Sequence, residues 1–167
     1  MEENQKTIRQ IRKAANIGLY GTLFVGLLTI AEHYLDKYVW IREITTNEYT
    51  RHLFMYVGLV LAVGYIAMIL LTLRRQIPQL RQMEDTPETL KCYLRITRSI
   101  YLGALAVSAI LAAIIVITHE NTLIMFMMLL FITLVLNYPN MYKMKNDMGL
   151  DDDTMKNLFG KDYIGKE

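Results

Sequence analysis

The sequence predicts an all-α integral membrane protein with four transmembrane helices in a bundle and a helical cytoplasmic extension of the third. Three observations carry this expectation. Between Lys13 and Glu32, His52 and Arg74, Arg98 and His119, and Glu120 and Lys143 no side chain is charged, and these gaps hold 18, 21, 20 and 22 residues. At about 1.5 Å rise per residue, roughly 20 residues cross a ~30 Å hydrocarbon core, and in lipid only a helix or a closed barrel satisfies its own backbone. Period-two alternation is missing, so helices are expected over strands. Lastly, of 18 Lys and Arg, 15 fall in segments that share one side of such a four-span chain and three in the other. The positive-inside rule then places both termini in the cytoplasm, a bias that fits a bacterial inner membrane.

Composition narrows the class further. In 167 residues the chain is 53% apolar, holds one Cys and carries a formal net charge of +2. This excludes a disordered chain, a disulfide scaffold and a nucleic-acid binder.

The whole chain, 1–167, reads as a single membrane domain with spans at about 14–34, 53–75, 99–118 and 121–138 and a polar cytoplasmic tail at 139–167. Span one follows Lys6, Arg9, Arg12 and Lys13, as a signal peptide would, but its apolar run is long for that role, so it is expected to stay uncleaved. Tyr34, Tyr38, Trp40, Tyr49 and Tyr56 gather around the external loop, where amphipathic rings favour headgroups. Thr45 and Glu48 have capping-box spacing before span two, which is expected to run to about Gln76 with Pro78 just beyond. Thr86 before Pro87 and Glu88 marks a helix start, and nothing breaks that helix before His119, so about a third of it should stand clear of the bilayer. His119, Glu120 and Asn121 form a tight external turn, and Pro139 ends span four. In the tail, Met141, Met144 and Met148 share one helical face and Met155, Leu158 and Phe159 another.

Chemistry-bearing residues are few. His33, His52 and His119, with Glu32 and Glu120, fall near the external face, where such a set could bind zinc or clasp a haem. Polar residues belong at helix ends without any metal, and there is no HExxH pair and no second Cys, so no cofactor is expected and zinc or haem stands only as the alternative. The middles of the spans hold groups such as Thr22, Thr29, Ser108 and Thr133, with no ionisable residue for coupled transport. On the internal side Arg81, Lys91, Arg95 and Arg98 are candidates for contact with anionic headgroups of the bilayer or with an acidic partner. Gly103, Ala106, Ala109 and Ala113 place small residues at helical spacing on span three, which is expected to pack closely within the chain or across a dimer.

No motif names an activity. The expected function is that of a small, non-enzymatic polytopic membrane protein acting in assembly, as a homo-oligomer or a subunit of a larger membrane complex. The alternative is a small redox, metal-binding or transport protein using the external His/Glu cluster.

Overall fold

A computed structural model describes residues 2–35, 48–83, 86–118 and 120–159. Among them every regular element is an α-helix: α1 (Glu2–Leu35), α2 (Glu48–Leu80), α3 (Thr86–Thr118), α4 (Asn121–Leu136), α5 (Met141–Met148) and α6 (Asp152–Phe159). The first three have 34, 33 and 33 residues, or roughly 50 Å each, and are long and apolar enough to cross a membrane. With 16 residues α4 reaches only about 24 Å. It meets α5 at a bend of 76°, and the pair is long enough for a fourth crossing if taken as one broken span.

Helix α3 is the hub. It lies along α1 over most of its length and also packs on α2, while α4 closes against α1, α2 and the buried side of α3. Its core-facing positions, from Leu90 and Tyr93 through Ile100, Ala104 and Leu111 to Ile115, recur at three- and four-residue steps. Small residues of α1 permit the closest approach. Ala14, Gly18 and Thr22 are buried at four-residue spacing, and a Cβ placed on Gly18 would lie 2.4 Å from the Tyr101 carbonyl oxygen.

Three expectations change. Helix α1 starts at Glu2 because Ile8, Ile11 and Ala15 are buried at helical spacing ahead of the apolar stretch, so the leading basic residues belong to an amphipathic extension. Helix α2 passes through Pro78 to Leu80: Pro78 is exposed and Leu80 is buried, so packing of Leu80 holds the last turn although one backbone donor is missing. The two amphipathic faces read in the tail do form short helices, α5 and α6, which bury Met144, Met148, Met155 and Leu158. Along the predicted small-residue ridge, Ala106, Ala109 and Ala113 are exposed and only Gly103 faces a helix, α2. Their spacing puts them on the side of α3 opposite Ala104 and Leu111, because a ridge of alanines follows the helix period whether or not a neighbour covers it. Helix α3 itself starts at Thr86 and ends at Thr118 as its capping residue and unbroken run imply.

Candidate functional site

Two ends of the helix assembly hold the polar residues. One end, called the base below, combines the first turns of α1 and α3, the last turns of α2, and the short helices α5 and α6. Both short helices have their own stops and starts. The Asn140 side chain accepts from the Lys143 amide at 2.7 Å, Gly149 at φ 66° closes α5, and Asp151 Oδ1 accepts from the Thr154 amide at 3.0 Å. Hydrogen bonding from the Thr154 side chain, and next from its amide, holds the Asp151 pKa below its usual value.

Polar contacts clamp these pieces together. Arg81 Nε donates to the Asn146 carbonyl at 2.9 Å, joining α2 to α5. Tyr93 Oη donates to Asp147 Oδ2 at 3.1 Å, joining α3 to α5, and Lys143 Nζ stands 3.7 Å from the same carboxylate oxygen. Burial raises the Asp147 pKa, with Lys143, Tyr93 and Arg81 pulling it back only in part. The Tyr93 hydroxyl is likewise pushed up by burial, reinforced by the Asp147 charge. Lys91 pairs with Glu3 at 3.1 Å, and hydrogen bonding to that ammonium lowers the Glu3 pKa. Arg98 reaches Gln10 at 3.5 Å, Arg12 lies 5.2 Å from the Phe159 ring centre, and Tyr138 donates to Asn16. Thus three of the four cations singled out from the sequence, Arg81, Lys91 and Arg98, meet partners inside the chain. Arg95 does not. It lines a cleft of about 320 Å³ between α2 and α3.

At the opposite end the His/Glu residues divide into local pairs. Arg51 Nε stands 3.1 Å from Glu120 Oε1, an ion pair by distance without hydrogen-bond alignment, and His52 lies 3.8 Å from Glu48 one turn away. His33 and Glu32 are half-buried, and both Glu32 oxygens are shielded from solvent without a hydrogen bond to any described residue. His119 lies outside the described residues, as do Thr45, Tyr38 and Trp40. Among the described residues no three His, Cys, Asp or Glu side chains converge in a way that would hold a metal ion.

In the apolar layer between the two ends, Tyr65 Oη of α2 donates to the carbonyls of Ser99 and Ile100 at 3.0 and 2.9 Å, and its ring fills the notch left by Gly103. Tyr101 donates to the Leu134 carbonyl at 2.8 Å. That bond matters because Pro139 has no N–H and the Tyr138 amide turns to Val135, so the Tyr101 hydroxyl caps an α4 carbonyl near the helix end.

Several of these residues carry a sequence signal that is easy to pass over. The Ala14, Gly18, Thr22 spacing is visible in the sequence, as is the Ile8, Ile11, Ala15 stripe. Asp147 and Tyr93 are 54 residues apart and meet only through tertiary folding. The chain matches no family model, no curated protein and no solved structure.

Proposed function

We propose that this is a four-span membrane protein without catalytic activity, embedded as a helix bundle with the base in the cytoplasm, and that it acts as an assembly subunit. The observation that carries the reading is the base itself. Five helices converge there and polar clamps join them, which gives a pre-organised surface of the kind a docking partner needs. Lys6, Arg9 and Lys13 remain exposed along α1 after these clamps are made, so the surface favours an acidic partner protein or a neighbouring subunit. In the apolar layer, the exposed Ala106, Ala109 and Ala113 leave one side of α3 shallow enough for a neighbouring span.

The test is charge reversal away from the clamps. Arg9→Glu with Lys13→Glu should leave the chain folded and inserted but reduce cross-linking to its neighbour in native membranes, and raised salt should mimic the effect because exposed pairs are screened within about 8 Å. A chain that yields only monomer after cross-linking in native membranes at ordinary expression overturns the assembly reading. Stoichiometric metal or haem in purified protein, lost on joint replacement of His33, His52 and His119 by Gln, replaces it with redox or metal chemistry.

A further inference from the structure

The cleft at Arg95 places a cation that has no ion pair or hydrogen bond among the described residues in a concave site between α2 and α3. Thr72, Gln76, Gln79, Cys92, Arg95 and Ser99 line it, giving amide and hydroxyl groups around one guanidinium. Thr72 and Gln76 also line a second hollow of about 400 Å³, which follows α2 past Gly64, Ala67, Met68 and Leu71 and has Arg75 at its polar end. The two hollows adjoin along α2, with Thr72 and Gln76 in the lining of both. Among the described residues no carboxylate lines either part.

Together their dimensions match a lipid. From Gly64 to Gln76 the hollows follow α2 for about 18 Å, close to the roughly 15 Å depth of one leaflet. Gly64 is exposed, and a Cβ built on it meets nothing within 4 Å, so open space lies over this end of the hollow. Arg75 and Arg95 stand at the end where headgroups lie, and neither has an ion pair or hydrogen bond within the described residues. Basic pockets between spans on the cytoplasmic side suit phosphate-bearing headgroups, because a guanidinium binds phosphate oxygens in a fork and the low-dielectric edge strengthens the attraction.

We propose that the α2–α3 cleft holds the headgroup of one anionic glycerophospholipid of the cytoplasmic leaflet, with an acyl chain in the hollow from Gly64 to Leu71. Arg95 and Arg75 take the phosphodiester, while Gln76, Gln79 and Ser99 address the glycerol and headgroup hydroxyls. The inference rests on the reading of α2 and α3 as spans with the base inside.

Cys92 is the only thiol in the chain and lines the cleft, so its alkylation reports occupancy directly. The full chain in zwitterionic phosphatidylcholine nanodiscs is titrated with phosphatidylglycerol, and the rate of Cys92 reaction with a polar maleimide is followed. Phosphatidylglycerol should slow the reaction in a saturable manner, and native mass spectrometry should retain one such lipid. Near-surface cations each contribute about five-fold in affinity, so Arg75→Gln with Arg95→Gln should weaken protection on the order of 10- to 30-fold. Gly64→Leu fills the hollow without touching the charges and should also remove protection. Equal protection by phosphatidylcholine, protection by inorganic phosphate or glycerophosphate alone, or unchanged protection in both variants overturns the lipid site. A reporter fused after Ile77 separates the two failures: an external reading sinks the span assignment, whereas a cytoplasmic reading without protection sinks the lipid site alone.

Discussion

Gly18→Ala is the most demanding test of the α1–α3 contact. The new Cβ would lie 2.4, 2.5 and 2.6 Å from the carbonyl oxygen, Cβ and carbonyl carbon of Tyr101, where an ordinary contact begins at 3.4 Å. Two of those atoms are backbone, and Tyr101 is held from the other side by its hydrogen bond to Leu134, so no rotamer change relieves the clash. The helices must part by about 1 Å over that turn, and overpacking of this kind costs about 1–3 kcal/mol. Alanine in place of a helical glycine returns about 0.5–1 kcal/mol, which leaves a net loss of up to about 2.5 kcal/mol. Gly64→Ala is the control. Nothing stands within 4 Å of its new Cβ, so only the gain of about 0.5–1 kcal/mol applies. Equilibrium unfolding of the two variants in mixed micelles, followed by helical circular dichroism, should separate them by about 2 kcal/mol. If Gly18→Ala proves as stable as Gly64→Ala, α1 and α3 do not approach as described.

Reporter fusions after Ile77 and Gly165 should read cytoplasmic and a fusion within residues 45–47 external; an external reading at Gly165 refutes the proposed orientation. Met144 is fully buried in the main core, so Met144→Ala should cost about 2–5 kcal/mol and expose residues after Pro139 to protease while the apolar helices stay associated. Because burial raises the Asp147 pKa, folding takes up a proton above the ordinary carboxylate value of 3.8. The contribution of Asp147 is therefore fully present in acid and is lost as pH rises through its raised folded-state pKa. Amide exchange over residues 141–148, corrected for intrinsic rates, should show α5 docking weaken on that rise, and Asp147→Asn should flatten the dependence; an unchanged slope in the variant refutes it. Tyr101→Phe should cost about 1 kcal/mol by stripping the Leu134 carbonyl of its hydroxyl partner, read as faster exchange at the end of α4.

The helices were legible because their signals are local. Uncharged runs, the Thr86-Pro87 start and the stop at Pro139 depend on neighbours in sequence, and α3 and α4 follow them within two residues. What escaped depends on who faces whom. Span three carries two sets of small residues at helical spacing, and sequence alone favours the longer ridge of Ala106, Ala109 and Ala113 over Ala104 and Ser108, although only the latter are buried. Periodicity identifies a ridge but not the direction it faces. Charge patterning has the same blind spot: Lys91 and Arg98 resemble headgroup contacts until α1 is seen to continue as a helix, which brings Glu3 and Gln10 beside them. Arg95 sits between them in sequence but faces α2, so it alone keeps the character that the sequence gives all three.

The division between base and apolar layer also bears on how the fold keeps its register. With the apolar layer in lipid, as proposed, burial of apolar side chains gives little drive for one helix to find another, and contacts there would rest on close packing at Gly18 and Gly21 and on the hydroxyls of Tyr65 and Tyr101. With the base in water, as proposed, it would have the hydrophobic effect at its disposal, and Ile8, Ile11, Leu90 and Met144 do lie in one core. Contacts in both layers advance together along parallel helices: Glu3 meets Lys91, Gln10 meets Arg98, Gly18 meets Tyr101 and Gly21 meets Leu105. Sliding α1 by one turn, about 5.4 Å, would bring larger side chains against Tyr101 and withdraw Ile8 and Ile11 from the base in the same motion. Neither layer can slip without the other. An ordered base is thus what fixes the relative height of α1 and α3, and through them the position of the α2–α3 cleft that Arg95 lines.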